Sequence, residues 1–328
     1  MTHDLNPLQT SLSRRSVLAA AGAASIAPLA AALAPHQALA AESAEAAGSL
    51  PEVLYSKSVT ADALCRIYDR LGAHLEGRIG IKIHGSEARI NYPLFLALQQ
   101  HVPESCFIET CWSSDFGGAR RHVAGTIREL RSQDVEAPVD VLDRDENRPE
   151  SYVSIPVPEG AELKEIEVCR AMLEDYGGIV VLSNFKIPSF AGFTGATKNI
   201  GIGLVSPDGK ARVHGPDYER VPGFFTRLAD AAKGVKARMG DKMIAISLIT
   251  NLKPQENCGT TPNTGTLGIV ASMDPTACDQ AACDLIWGLN REEAAKLTEA
   301  QKIDSGYMTL EALEAVHAGS RRYKLTAV

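Results

Sequence analysis

The sequence predicts an α/β fold, a mostly parallel sheet covered by helices in three layers. Two observations carry this expectation. Short β-branched runs alternate with longer stretches of helical apolar spacing between Thr60 and Val316. The strand-like runs are separated by helix-length segments, as βαβ units require. An apolar content of 45% with 5% aromatic residues is ordinary for such a protein.

The elements follow in order. Thr60 to Leu75 has a threonine cap and helical spacing, and Arg78 to His84 alternates as a strand does. Tyr92 to Gln100 reads as helix, Cys106 to Cys111 as extended chain, and Arg120 to Arg131 as helix again. Further strands are expected at Val139 to Leu142, Ile179 to Ser183, Met243 to Thr250 and Leu267 to Ser272. Helices are expected at Pro222 to Ala237, Thr276 to Trp287, Arg291 to Ala300 and Leu310 to Val316. In such a fold, ligands sit beyond the carboxyl ends of the strands.

The first forty residues read as a targeting segment and are set aside from the fold. A polar start leads into Ser13-Arg14-Arg15-Ser16-Val17-Leu18, followed by an apolar run to Leu33. This matches the twin-arginine pattern, with Val17 where Phe is commonest. Ala38-Leu39-Ala40 fits the small-x-small cleavage rule, so the mature chain is expected to begin at Ala41 in the periplasm or cell envelope. An uncleaved membrane anchor is the competing reading, weakened by the alanine content of the run and by Pro28. Residues 41–53 read as a linker and 54–328 as a single α/β domain. The twin-arginine translocase is the partner this implies, with no stable membrane span after cleavage.

A formal net charge of −7, with no clustered Lys and Arg, argues against nucleic acid as a partner. The mature part carries Cys65, Cys106, Cys111, Cys169, Cys258, Cys278 and Cys283, an odd number with no Cys-x-x-Cys. The spacings are not those of ferredoxins or structural zinc sites, and most of these residues read as small buried apolar groups.

Three segments fall at expected strand ends. Ser183-Asn184-Phe185-Lys186, then Gly192 to Gly203 (GFTGATKNIGIG), opens a buried strand into a loop with four glycines and, counting Lys186, two lysines. Glycine amides and lysine charge suit a phosphate or carboxylate, although neither the Walker nor the Rossmann spacing is present. The plain alternative is a glycine-rich turn. In the second segment, Lys82 and His84 share one strand face, with Glu87 just beyond. The third runs from Ala271 to Gln280, where Asp274 caps a helix in the simplest reading and Asp279 lies one turn inside.

Together these segments resemble the family named domain of unknown function 362, whose central signature reads roughly SHFKGH-x-x-x-GFGGA-x-KN-x-GMG. The likeness extends to GRIGIKIHGSE, FGGAR, ITNLKP, the run from Gly268 to Ile286, and GSRRYKL. Some members of the family carry ferredoxin-like modules, so the resemblance allows an iron–sulfur cluster or a metal ion, which the local cysteine spacing does not support. The signature's two histidines correspond here to Asn184 and Pro188, and a Cys-Asp-Cys element is reduced to Cys258. No metal ligands are therefore assigned.

Two functions are compatible with these matches. The first is a redox or metal-assisted enzyme acting on a small anion, with His84 and Asp274 catalytic and Lys82, Lys186, Gly195, Lys198, Asn199 and Asn251 binding the substrate. The second is a non-catalytic binding or accessory protein of the cell envelope that has lost the family's metal ligands. On the first reading the lysines share one crevice, compensated by Asp274 and Asp279.

Overall fold

The computed structural model describes residues 49–187, 192–216, 222–250, 266–289 and 307–328. The chain runs β1 (Glu52–Ser56), α1 (Ala61–Gly72), β2 (Ile79–Lys82), α2 (Tyr92–His101), β3 (Ser105–Glu109), α3 (Val123–Ser132) and β4 (Val139–Val141). An antiparallel hairpin follows, β5 (Tyr152–Pro156) and β6 (Glu165–Cys169), then α4 (Arg170–Glu174) and β7 (Gly178–Asn184). The second half adds α5 (Ala196–Gly201), α6 (Pro207–His214), α7 (Pro222–Met239), β8 (Met243–Ile249), β9 (Gly268–Ser272), α8 (Pro275–Leu289), α9 (Met308–Ala315) and β10 (Lys324–Ala327).

Eight strands form one sheet in the order β10-β1-β9-β8-β7-β2-β3-β4. Neighbours are parallel except for β9, which runs antiparallel to both β1 and β8. The mostly parallel α/β fold is therefore present. Along β8, Ile244, Ile246 and Leu248 face one core while Met243, Ala245 and Ile249 face the other, as the two-residue period of a strand dictates. The first core is closed by α1, α2 and α3 through Leu64, Ile67, Phe95, Leu98 and Leu130. The second is closed by α4 to α9 and the β5–β6 hairpin. Helices thus cover both faces, and each fully buried Leu or Ile contributes roughly 1.5–3 kcal/mol.

Local chemistry explains the element boundaries. Thr60 caps α1 by accepting from the Ala63 amide at 3.2 Å, as the sequence predicts. Ser206 does the same for α6, from Gly209 at 2.9 Å. The loop between β5 and β6 is pinned by Asp230 of α7, whose carboxylate accepts from the amides of Ala161, Glu162 and Leu163.

Three expectations change. The glycine-rich stretch is not all loop, because Ala196–Gly201 forms α5. Strand β1 begins at Glu52, inside the stretch read as linker, because Val53 and Leu54 are fully buried between β9 and β10. Ser272 of β9 pairs with Ala245 near the start of β8, so the carboxyl end of β9 lies at the opposite end of the sheet from those of β2, β3 and β7. The helix expected at Arg291 to Ala300 lies outside the described residues, as do Asn251, Pro188 and Cys258.

Candidate functional site

The carboxyl ends of β2, β3 and β7 hold a seam of buried charge. Lys82, the last residue of β2, is fully buried, and its Nζ lies 2.8 Å from Glu109 Oε1 at the end of β3. The same ammonium donates to Ile83 O at 2.6 Å. Glu109 also accepts from the amides of Gly85 (2.6 Å) and Thr110 (3.0 Å). Burial works against the Glu109 carboxylate, but Lys82, aided by Arg120, outweighs it and holds the group at about 2.

Beyond β2 the chain turns into a 3-10 segment, Gly85–Asn91. His84 enters it with a third of its side chain open, while its Nδ1 is buried, makes no hydrogen bond among the described residues, and lies 3.8 Å from Glu87 Oε1. Burial, reinforced by Lys186 and Arg120, drives the imidazole down to about 3 against the pull of Glu87 and Glu109. His84 is therefore neutral at physiological pH. Lys186, just past β7, forms a short ion pair with Glu87 across this turn. Asn184 fixes the turn from the side, donating to Glu87 O and accepting from Asn91.

Arg120 closes the other flank. It is buried, donates from Nη1 to Ser86 Oγ at 2.5 Å, and stacks its guanidinium 4.5 Å from the centre of the Trp112 ring. Its Nε has no partner among the described residues. Further along the seam, buried Lys210 donates to Thr110 Oγ1 (2.9 Å) and Val205 O (2.5 Å), and Thr110 in turn donates to Gly203 O. Burial lowers the Lys210 ammonium from its ordinary value.

The sequence-predicted residues divide accordingly. Lys82, His84 and Lys186 converge on this end of the sheet, with Glu109 and Glu87 rather than Asp274 and Asp279 compensating the lysines. Asn199 is buried and spends its amide donors on Ser183 Oγ (2.8 Å) and Gly195 O (3.0 Å), which locks α5 to β7. Lys198 is half-buried on α5, close enough to His214 to help depress that imidazole, which burial takes down to about 4.

Gly195 offers no open cradle. The amides of Ala196 and Thr197 donate to the Asp279 carboxylate at 2.7 and 2.8 Å, so a side chain of α8 occupies the place expected for an anion. Asp274 does not join the site, because β9 is antiparallel. It caps α8 through the amides of Thr276 and Ala277 and ties down Ser320, at the far end of the sheet from His84.

An iron–sulfur cluster finds no thiolate set among the described residues. Cys65, Cys106, Cys111, Cys169, Cys278 and Cys283 form no disulfide, and apart from Cys278 and Cys283, which share α8, they lie on different parts of the fold. Burial pushes the thiols of Cys111, Cys169, Cys278 and Cys283 up, away from the thiolate form that metals need. No group of three or more His, Cys, Asp or Glu side chains among the described residues is placed to hold a metal ion. The cysteines among the described residues do not fit the cluster that the family resemblance allows.

Glu109, Arg120 and Lys210 were not singled out in the sequence. Their signal was faint: Glu109 is the one charge in the run CFIETC, and Arg120 follows the glycine pair in FGGAR.

Fold and seam define a doubly covered α/β protein with its polar centre at the carboxyl ends of the parallel strands. The chain belongs to the family described as Domain of unknown function (DUF362), whose model matches residues 116–284. That span includes Arg120, Lys186 and α5 but not Lys82, His84 or Glu109. No curated protein matches. Among solved structures, a Thermotoga maritima structural-genomics protein is similar at 13% identity and a TM-score of 0.45, covering 71% of this chain and 60% of its own. The lactate racemase apoprotein from Thermoanaerobacterium thermosaccharolyticum is similar at 12% identity and a TM-score of 0.43, covering 72% and 57%. The chain spans less than two thirds of either.

Proposed function

We propose that the chain binds a small anionic molecule at the carboxyl ends of β2, β3 and β7, and that His84 accepts a proton from it or for it. The observation that carries this reading is the His84 imidazole, partly open and held neutral among Lys186, Arg120 and two carboxylates. A neutral imidazole there is a hydrogen-bond acceptor on one nitrogen. Because Glu87 stands nearest Nδ1, the proton belongs on Nδ1, and the lone pair falls to Nε2. Arg120, with a donor to spare, supplies the anion's counter-charge. This supports acid–base chemistry on a carboxylate or phosphate rather than chemistry through a cysteine-held cluster.

A non-catalytic binding protein is the second reading, favoured by the internal neutralisation of Lys82 and Lys186 by glutamates. The twin-arginine pattern supports action in the cell envelope under either reading.

Calorimetric titration of the purified chain with small carboxylates and phosphonates tests the site. Binding should weaken roughly tenfold or more in Arg120→Gln, which keeps an acceptor and donor for Ser86 but loses the charge. Binding unchanged in that variant, or absent from the wild-type protein, overturns the reading. Proton exchange from the ligand, followed in deuterated solvent and lost in His84→Gln, separates the enzyme from the binder.

A further inference from the structure

Lys186 and His84 address the same oxygen atom. Glu87 Oε1 is held by the Lys186 ammonium in a short ion pair, and it also stands 3.8 Å from His84 Nδ1. That nitrogen is buried and makes no hydrogen bond among the described residues. With its proton on Nδ1, the neutral imidazole therefore has a donor that its surroundings leave unused, although a carboxylate lies just beyond hydrogen-bond length.

Charge, rather than room on the oxygen, accounts for the gap. A carboxylate oxygen has lone pairs for two donors, but with the ammonium already on it Glu87 exerts little net attraction on a second proton. Four charged side chains act on His84: Glu87 on its own turn, Lys186 past β7, Glu109 at the end of β3 and Arg120 ahead of α3. Glu109 is committed to fully buried Lys82, so the Glu87–Lys186 pair is the one a ligand at this site can alter. His84 is the least enclosed of the three groups, with a third of its side chain open against a tenth for Lys186 and less for Glu87.

We propose that Glu87 is the positioning residue of this site, and that a bound anion transfers it from Lys186 to His84. The anion takes a share of the Lys186 ammonium, Glu87 Oε1 accepts the Nδ1–H of His84, and the 3.8 Å gap closes to hydrogen-bond length. His84 Nε2 then takes a proton, from the ligand or from solvent, and the imidazolium pairs with Glu87. This rests on the anion-binding reading above and adds the step that makes His84 an effective base only when the ligand is present. Burial first, and Lys186 and Arg120 with it, hold the free imidazole down to about 3.

Formate, a carboxylate that stays ionised at about pH 5.5–6.5, tests the proposal on the full purified chain. Calorimetry in buffers of different ionisation enthalpy gives the protons taken up per formate bound. The variant Lys186→Met/Glu87→Gln removes one charge of each sign, so the direct field of formate on His84 stays close to that in the wild type while the transfer is abolished. Uptake per bound formate should fall about fivefold or more in this variant, with binding weakened but retained through Arg120. Circular dichroism and thermal melting establish that the variant keeps its fold, which replacing both members of a buried pair favours. A second readout uses the wild-type protein alone. Saturating formate should bring up a downfield, slowly exchanging imidazole N–H signal in the proton NMR spectrum, and His84→Gln should lack it. Uptake that persists in the double variant, or no such signal in the wild type, overturns the transfer and leaves the anion site standing. Failure of the wild-type protein to bind formate also overturns it, and the titrations with other carboxylates and phosphonates decide the anion site separately.

Discussion

Asp279 Oδ1 lies 2.2 Å from where a β-carbon on Gly195 would stand. The glycine is therefore required by the close approach of a buried carboxylate, which the first two amides of α5 hold in place. The backbone at Gly195 has a negative φ, so space and not conformation makes the demand. Gly195→Ala should destabilise the protein by about 1–3 kcal/mol, read from chemical denaturation. In Gly195→Ala/Asp279→Ala the cost should be less than the sum of the single changes, since the clash is gone. Additivity would show that the two residues do not meet in this way.

The same carboxylate sets a pH dependence. Burial pushes Asp279 up to about 6, and the Thr197 and Ala196 donors recover only part of the loss. Its folded value lies above the unfolded one near 3.9, so the folded state binds the extra proton between them. This contribution is complete below about pH 4 and is lost as pH rises through 6, with an amplitude on the order of 3 kcal/mol. Asp279→Asn, which does not titrate, should gain stability relative to wild type across that window. A constant difference between the two proteins from pH 4 to 7 would contradict the assignment.

Lys82 and Glu109 form a buried pair, and breaking it from one side leaves an uncompensated charge in the protein interior. Lys82→Met or Glu109→Gln alone should cost about 3–5 kcal/mol. The double variant Lys82→Met/Glu109→Gln should recover a large part of that cost, because neither charge remains to be desolvated. Glu109 adds an acid limb as well. Its folded value is depressed to about 2, so its stabilisation is present above the unfolded carboxylate range and is lost as pH falls toward 2. If the single variants melt with the wild type, the pair is not buried as described.

Export is readable in a direct experiment. Replacing Arg14 and Arg15 together by Lys should keep the protein in the cytoplasm with its amino-terminal segment uncleaved, as fractionation and mass measurement would show. Normal secretion of the double-Lys form rules the twin-arginine assignment out.

Much of the fold was legible because local signals and tertiary demands agree. Thr60 and the apolar spacing that follows gave α1, and the unbroken apolar run from Met243 gave β8. Strand direction was not legible. A strand buried on both faces, such as β9, carries the same apolar run whichever way it points, and so Asp274 was placed at the wrong end of the sheet. The short helix α5 was hidden by Gly195, Gly201 and Gly203, since glycine marks a loop on propensity alone. The partners of the site lysines were hidden for a different reason. Lys82 with Glu109 and Lys186 with Glu87 are joined only by the parallel packing of β2, β3 and β7 and the turn after β2, which no local pattern encodes.

The last prediction concerns proton uptake at His84. In the free protein its imidazole is depressed to about 3 by burial, with Lys186 and Arg120 adding to the effect. An anion bound within roughly 4–6 Å favours the imidazolium and offsets those cations, so the value in the complex must rise. Between the free and bound values, binding takes up a proton, and by linkage the affinity increases as pH falls through that interval. Calorimetry at pH 5.5–6.5 in buffers of different ionisation enthalpy should therefore give an uptake that grows toward low pH and stays below one proton per site. Carboxylate ligands with ordinary values near 4 are almost wholly ionised over this range, and the proton release of a less acidic one is the same in wild type and His84→Gln, so the difference between the two proteins isolates the effect. His84→Gln keeps Arg120 and Lys186 to hold the anion but has no proton to gain, so it should bind with an affinity that does not change with pH. Equal uptake in wild type and His84→Gln would assign the proton to another group and remove His84 from the site.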